Sequence, residues 1–173
     1  DDVIKALAQL RMVIGPAASM GDASPAQVTE LTSGASFAQI MGQLKLSTLS
    51  APPAIADSIM SLVRQTSTIA NAGVREDLNT TWKAQVLPFC QAAINGRYPF
   101  ENAQNEVTFA DFSKMFAPGG LLDKFFDKQL KPFVDTGSAP WKLLANAGAR
   151  PDISPAALGY FEQASRIRAM FFA

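Results

Sequence analysis

At 173 residues the chain is long enough for one domain with a single substantial core and short for two. Its 48% hydrophobic and 17% charged residues exclude a disordered polymer, and so little charge points to a surface partly covered by a partner. Fifteen basic and fifteen acidic residues cancel, so no long-range field draws the chain to nucleic acid or to an anionic membrane.

Val3, Ile4, Leu7, Leu10 and Ile14 recur at three- and four-residue spacings, which predicts an amphipathic helix stopped by Gly15-Pro16. Ala17 to Gly34 is rich in small residues, and within it Ser24-Pro25 reads as an N-cap followed by proline in the first turn of a short helix to about Leu31. Phe37, Ile40, Met41 and Leu44 keep helical spacing, with Ser36 as the expected cap and Gly42 as a weak point. Pro52-Pro53 opens a long helix with a stripe of Ile55, Ile59, Leu62, Val63 and Ile69, expected to end or bend at Gly73. The next segment carries Leu78, Trp82, Val86 and Phe89, with a kink or boundary expected near Pro88 because proline has no N–H to donate.

Asn95-Gly96 is a stop signal, and Tyr98-Pro99-Phe100 leads in extended form into a polar loop from Glu101 to Glu106. Thr108 and Asp111 have the spacing of a capping box for a helix bearing Phe109, Phe112, Met115 and Phe116, ended by Pro118-Gly119-Gly120. Leu121, Leu122, Phe125, Phe126 and Leu130 line one face of the following helix. Asp123, Lys124, Asp127, Lys128 and Lys131 line the other, with Asp127 and Lys131 spaced as a favourable pair. Val134 to Asp152 reads as a loop, with room for one short helix. Ser154-Pro155 repeats the cap-then-proline signal before a last helix aligning Ala157, Phe161, Ala164, Ile167 and Phe171, with Arg166 and Arg168 near its end. No run alternates as a strand would. The expected fold is all-α, an irregular bundle of about six to eight helices forming a single domain over residues 1–173.

Without histidine the chain holds no Ser-His-Asp triad, no Cys-His pair and no histidine-ligated metal. Cys90, the single cysteine, reads as a small buried hydrophobe and permits no internal disulfide. Gly119-Gly120 lacks the spacing of a phosphate-binding loop and reads as a turn between helices. Glu101 and Glu106 beside Tyr98 are the one arrangement resembling paired carboxylates, so a peptidoglycan-binding or glycan-cleaving loop is the alternative function. The phenylalanines from Phe109 to Phe133 and Trp141 are expected in a core before a ligand pocket, with Phe112→Ala or Phe126→Ala costing about 3–5 kcal/mol. No catalytic, cofactor-binding or metal-binding residue is expected. Lys124 and Lys128 are the candidate partner-binding residues.

Three motifs carry more when taken together. They are Trp82…Val86-Leu87-Pro88-Phe89-Cys90, then Gly96-Arg97-Tyr98-Pro99-Phe100, then Val107-x-Phe109-x-Asp111-Phe112…Phe116-Ala117-Pro118-Gly119-Gly120-Leu121-Leu122-Asp123-x-Phe125-Phe126. With Leu130-x-Pro132-Phe133, Trp141 and Phe161-x-x-Ala164-x-x-Ile167-Arg168-x-x-Phe171-Phe172, the region from about Asn71 onward resembles the IcmF/TssM family of type VI secretion systems. The first seventy residues match it only in helical character. The resemblance implies a non-enzymatic structural module, a periplasmic helical portion of a bacterial inner-membrane protein. Implied partners are a TssL/DotU-like inner-membrane protein, a TssJ-like lipoprotein met through a neighbouring domain, and other copies of the chain. No cofactor, nucleic acid or small-molecule substrate is implied. A chain beginning Asp1-Asp2, with no signal peptide and no long apolar run, is expected to be a piece of that larger protein.

Overall fold

A computed structural model describes residues 2–19, 24–33, 35–145 and 149–172. Among the described residues it is all-α, with seven helices, one further single helical turn and one very small sheet. The helices are α1 (Asp2–Ser19), α2 (Pro25–Thr32), α3 (Ala35–Ser47), α4 (Pro53–Gln85), a single turn α5 (Leu87–Phe89), α6 (Phe109–Phe116), α7 (Leu121–Phe125) and α8 (Pro155–Phe171). Widened π turns follow α5 at Cys90–Ile94 and α7 at Phe126–Leu130, and a 3-10 turn covers Lys131–Phe133. Strands β1 (Val134–Asp135) and β2 (Lys142–Leu143) pair where a loop, with or without one short helix, was expected, and residues 146–148 of that stretch lie outside the described residues.

The chain forms two compact units, Asp1–Asp77 with Leu143–Asp152, and Leu78–Lys142 with Ile153–Ala173. In the first unit α1 packs on α3, burying Ala6 and Leu10 with Phe37, Ile40, Met41 and Leu44. Helix α1 runs on through Gly15-Pro16, where a stop was expected. A proline inside a helix removes one hydrogen bond without obliging the chain to leave the helix. Ser24 caps α2 as the sequence predicts, its Oγ accepting from the Gln27 N–H while the Gln27 side chain accepts from the Ser24 N–H at 2.9 Å. Ser36 is not a cap, since α3 already begins at Ala35.

Helix α4 also continues past Gly73 instead of bending there. A Cβ at Gly73 would lie 2.9 Å from the Val28 Cβ and closer still to Cγ1, so this glycine is what allows Val28 of α2 to approach the α4 backbone. The buried stripe of α4 in this unit is Ile59, Val63, Ala70 and Val74. Ile55, Leu62 and Ile69 of the predicted stripe are exposed, because the 3.6-residue repeat carries the core-facing line to Ala70 and Val74. The end of the unit is tied back to α4 by the Arg150 N–H, which donates to Asn71 Oδ1 at 2.6 Å.

In the second unit the helix boundary at Pro88 is present: Val86 forms a turn between α4 and α5. The first π turn closes with the Asn95 N–H donating to the Cys90 carbonyl at 2.9 Å. Gly96 then takes φ +69°, the left-handed conformation that ends helices cheaply in glycine. The core of this unit is Leu78, Val86, Ile94, Met115, Phe116, Phe125, Leu130, Phe133 and Leu158.

Candidate functional site

The turn at Pro118-Gly119-Gly120 sets the local geometry of the second unit. Gly119 has φ +71°, and a Cβ at Gly120 would lie 2.8 Å from the Ala117 carbonyl oxygen, so both positions require glycine for separate reasons. On the approach, Thr108 Oγ1 accepts from the Asp111 N–H at 3.1 Å and donates to Asp111 Oδ2 at 2.8 Å. The shorter aspartate therefore closes on the capping hydroxyl itself. Beyond the turn, Asp123 Oδ2 accepts from the Gly119 N–H at 2.8 Å, and Asp123 pairs with Arg168 of α8. Asp123, read from sequence as part of the solvated face, is 16% exposed and joins the turn to α8.

The aromatic residues form an array of two groups, the first joining Trp82, Phe125, Phe126, Trp141 and Phe161. Phe125 meets Trp82 edge-on at 5.2 Å and stacks with Phe161 at 5.8 Å, while Phe126 lies 4.9 Å from Trp141. A second group joins Phe100, Phe112, Phe116, Phe171 and Phe172 at centroid separations of 4.9 to 6.4 Å. Phe116, Phe125 and Phe133 are buried as expected of a core, whereas Phe112, Phe126 and Trp141 are half-buried and Phe109 is 76% exposed. The cost of truncating Phe112 or Phe126 therefore falls below the fully buried range.

Glu162 and Leu158 are buried on α8 but lie outside its predicted stripe. Glu162 Oε2 accepts from the Trp141 N–H at 3.1 Å and Oε1 accepts from Arg166 at 2.5 Å, so the carboxylate is held by two donors. The Glu162–Arg166 spacing was visible in the sequence; the Trp141 N–H, twenty-one positions away, was not. Lys124 and Lys128 are both exposed, and neither forms an ion pair among the described residues. Asp127 and Lys131 pair at 2.9 Å as predicted.

The loop from Tyr98 to Glu106 is exposed and braced. Tyr98 bridges to Glu106, with the Tyr98 N–H donating to Asn105 O and the Val107 N–H to Tyr98 O, each at 2.9 Å. Glu101 Oε1 accepts from the Gly96 N–H at 2.9 Å, which gives that carboxylate a structural task. Cys90 is half-buried, its Sγ 3.4 Å from Asn95 Oδ1, and burial pushes its thiol up from the usual 9.0. Among the described residues no group of three metal-ligating side chains converges, and no helix is long and apolar enough to cross a membrane.

Comparison with known proteins matches residues 74–173 to the type VI secretion protein IcmF helical domain. The chain is 31% identical over 122 residues to the type VI secretion system component TssM1 of Pseudomonas aeruginosa, which covers 70% of this chain and 11% of that protein. No solved structure matches. The chain thus spans about a ninth of its relative's length, and the matched region holds the turn, the aromatic array and the Asp123–Arg168 pair. The chain belongs to the IcmF/TssM family, and residues 74–173 are its IcmF helical domain.

Proposed function

We propose that this chain is a non-enzymatic scaffold within a type VI secretion membrane complex, placed in the periplasm as part of an inner-membrane protein. The observation that carries the reading is the match of residues 74–173 to the IcmF helical domain. The local physics supports it: Glu101, one of the two carboxylates that the sequence offers as a catalytic pair, is occupied in bracing Gly96. Residues 1–173 act together as one module whose exposed face, carrying Lys124 and Lys128, contacts a neighbouring subunit or another copy. Its partners are a TssL/DotU-like protein, a TssJ-like lipoprotein reached through a neighbouring domain, and further copies of the chain.

Location is tested with a short epitope inserted after Asn102, at the exposed crest of the braced loop, in the full-length protein. Antibody or protease should reach it in spheroplasts with an intact inner membrane. Access only after that membrane is lysed would refute the periplasmic placement.

A further inference from the structure

The second unit holds an open cleft of about 640 Å³, within the size range of small-molecule sites, roughly 300–1,000 Å³. Trp82, Ile94, Leu122, Phe125, Phe161 and Ile167 supply its apolar wall. Its polar groups are few, and Asn79, Asn95, Glu101 and Gln163 are all exposed, so they stand at the rim. Among the described residues neither lysine nor arginine lines it. The rim carboxylate is fixed, because Glu101 Oε1 accepts the Gly96 N–H.

A second, independent feature marks the same place. Both π turns give residues to this cleft, Cys90 and Ile94 from the first and Leu130 from the second. A π turn is a strained alternative to the α-helix that tends to occur where side-chain placement serves a site. Close packing of a core does not call for two such turns beside one open cleft.

We propose that the cleft binds a small uncharged amphiphile, with an apolar body the size of a lipid chain and a hydroxyl or amide end. The aromatic wall takes the body, and the amides of Asn79, Asn95 and Gln163 are available to the polar end. A carboxylate-headed ligand of equal length is disfavoured, since it would meet Glu101 with no cation to offset the repulsion. The ligand is bound and not transformed.

Two probes of equal chain length, decanol and decanoate, test this below their aggregation thresholds. Trp141→Phe leaves Trp82 in the cleft wall as the single tryptophan. Decanol should shift Trp82 emission saturably, with decanoate binding weaker by about tenfold. In the unsubstituted chain, saturating decanol should slow alkylation of Cys90, the single cysteine, by N-phenylmaleimide. Glu101→Gln, which keeps the acceptor for Gly96, should narrow the gap between the two probes, and Ala157→Phe should abolish decanol binding by filling the cleft. Unsaturable emission changes with unprotected Cys90 would overturn the site, and equal binding of the two probes by the unsubstituted rim would overturn the ligand class. Undiminished decanol binding by folded Ala157→Phe would place the ligand elsewhere; should that variant not fold, Cys90 protection decides.

Discussion

Phe125→Ala tests whether the aromatic array holds the second unit together. Phe125 is 5% exposed and touches both Trp82 and Phe161 at ring-centroid distances of 5.2 and 5.8 Å. Burying a phenylalanine side chain is worth about 1.5–3 kcal/mol in transfer free energy, and each favourable aromatic pair adds about 0.5–1.5 kcal/mol. A closed void would add a further cavity penalty. Phe125 lines the open cleft, however, so water and neighbouring side chains can enter the space it vacates. The expected loss is therefore about 3 kcal/mol, at the lower end of the phenylalanine-to-alanine range. Urea unfolding of the unsubstituted and substituted chains, followed by circular dichroism at 25 °C, measures it. Phe109→Ala, at a 76% exposed position, is the control and should cost less than about 0.5 kcal/mol. Equal, small losses for both variants would show that the array is not a core.

Two glycines inside helices should respond with opposite signs. Gly42→Ala in α3 meets no atom within 4 Å and should stabilise by about 0.5–1 kcal/mol. Gly73→Ala in α4 collides with Val28 and should destabilise by about 1–3 kcal/mol, with Val28→Ala restoring much of the loss; a stabilised Gly73→Ala would refute the close approach. Asp123→Ala leaves Arg168 half-buried without its partner and removes the acceptor from the Gly119 N–H, for a loss of about 1–3 kcal/mol. Asp123→Asn keeps the acceptor and should lose less, so equal melting temperatures for the two would assign the whole effect to the ion pair.

Local signals of the fold were legible where one residue decides the geometry. Ser24, Thr108 and Ser154 cap their helices, Pro88 marks a boundary, and Gly96 and Gly119 take the left-handed turn. Punctuation failed where tertiary packing outweighs propensity: Gly15-Pro16 and Gly73 lie inside helices, the latter because Val28 needs the space of a missing side chain. The π turns left no periodic trace, since a single extra residue per turn only shifts the phase of the apolar stripe. Charge patterning on one helix correctly placed Asp127 with Lys131 but assigned Asp123 to solvent. Its partner Arg168 lies on another helix, and a single sequence carries no signal for a pairing at that distance. The motifs from Trp82 to Phe172 identified the family, although the 122-residue match is longer than the Asn71-onward region and so reaches back into the first half.

The claim that this chain is a scaffold rests most directly on contact with a neighbour in the assembled complex. A photo-crosslinking amino acid placed at position 124 or 128 of the full-length protein, both exposed, samples the proposed face without disturbing the core. Irradiation of intact cells should yield a covalent adduct with another subunit or a second copy from at least one of the two positions. Recovery of uncrosslinked protein alone from both, at normal abundance in the membrane fraction, would contradict it.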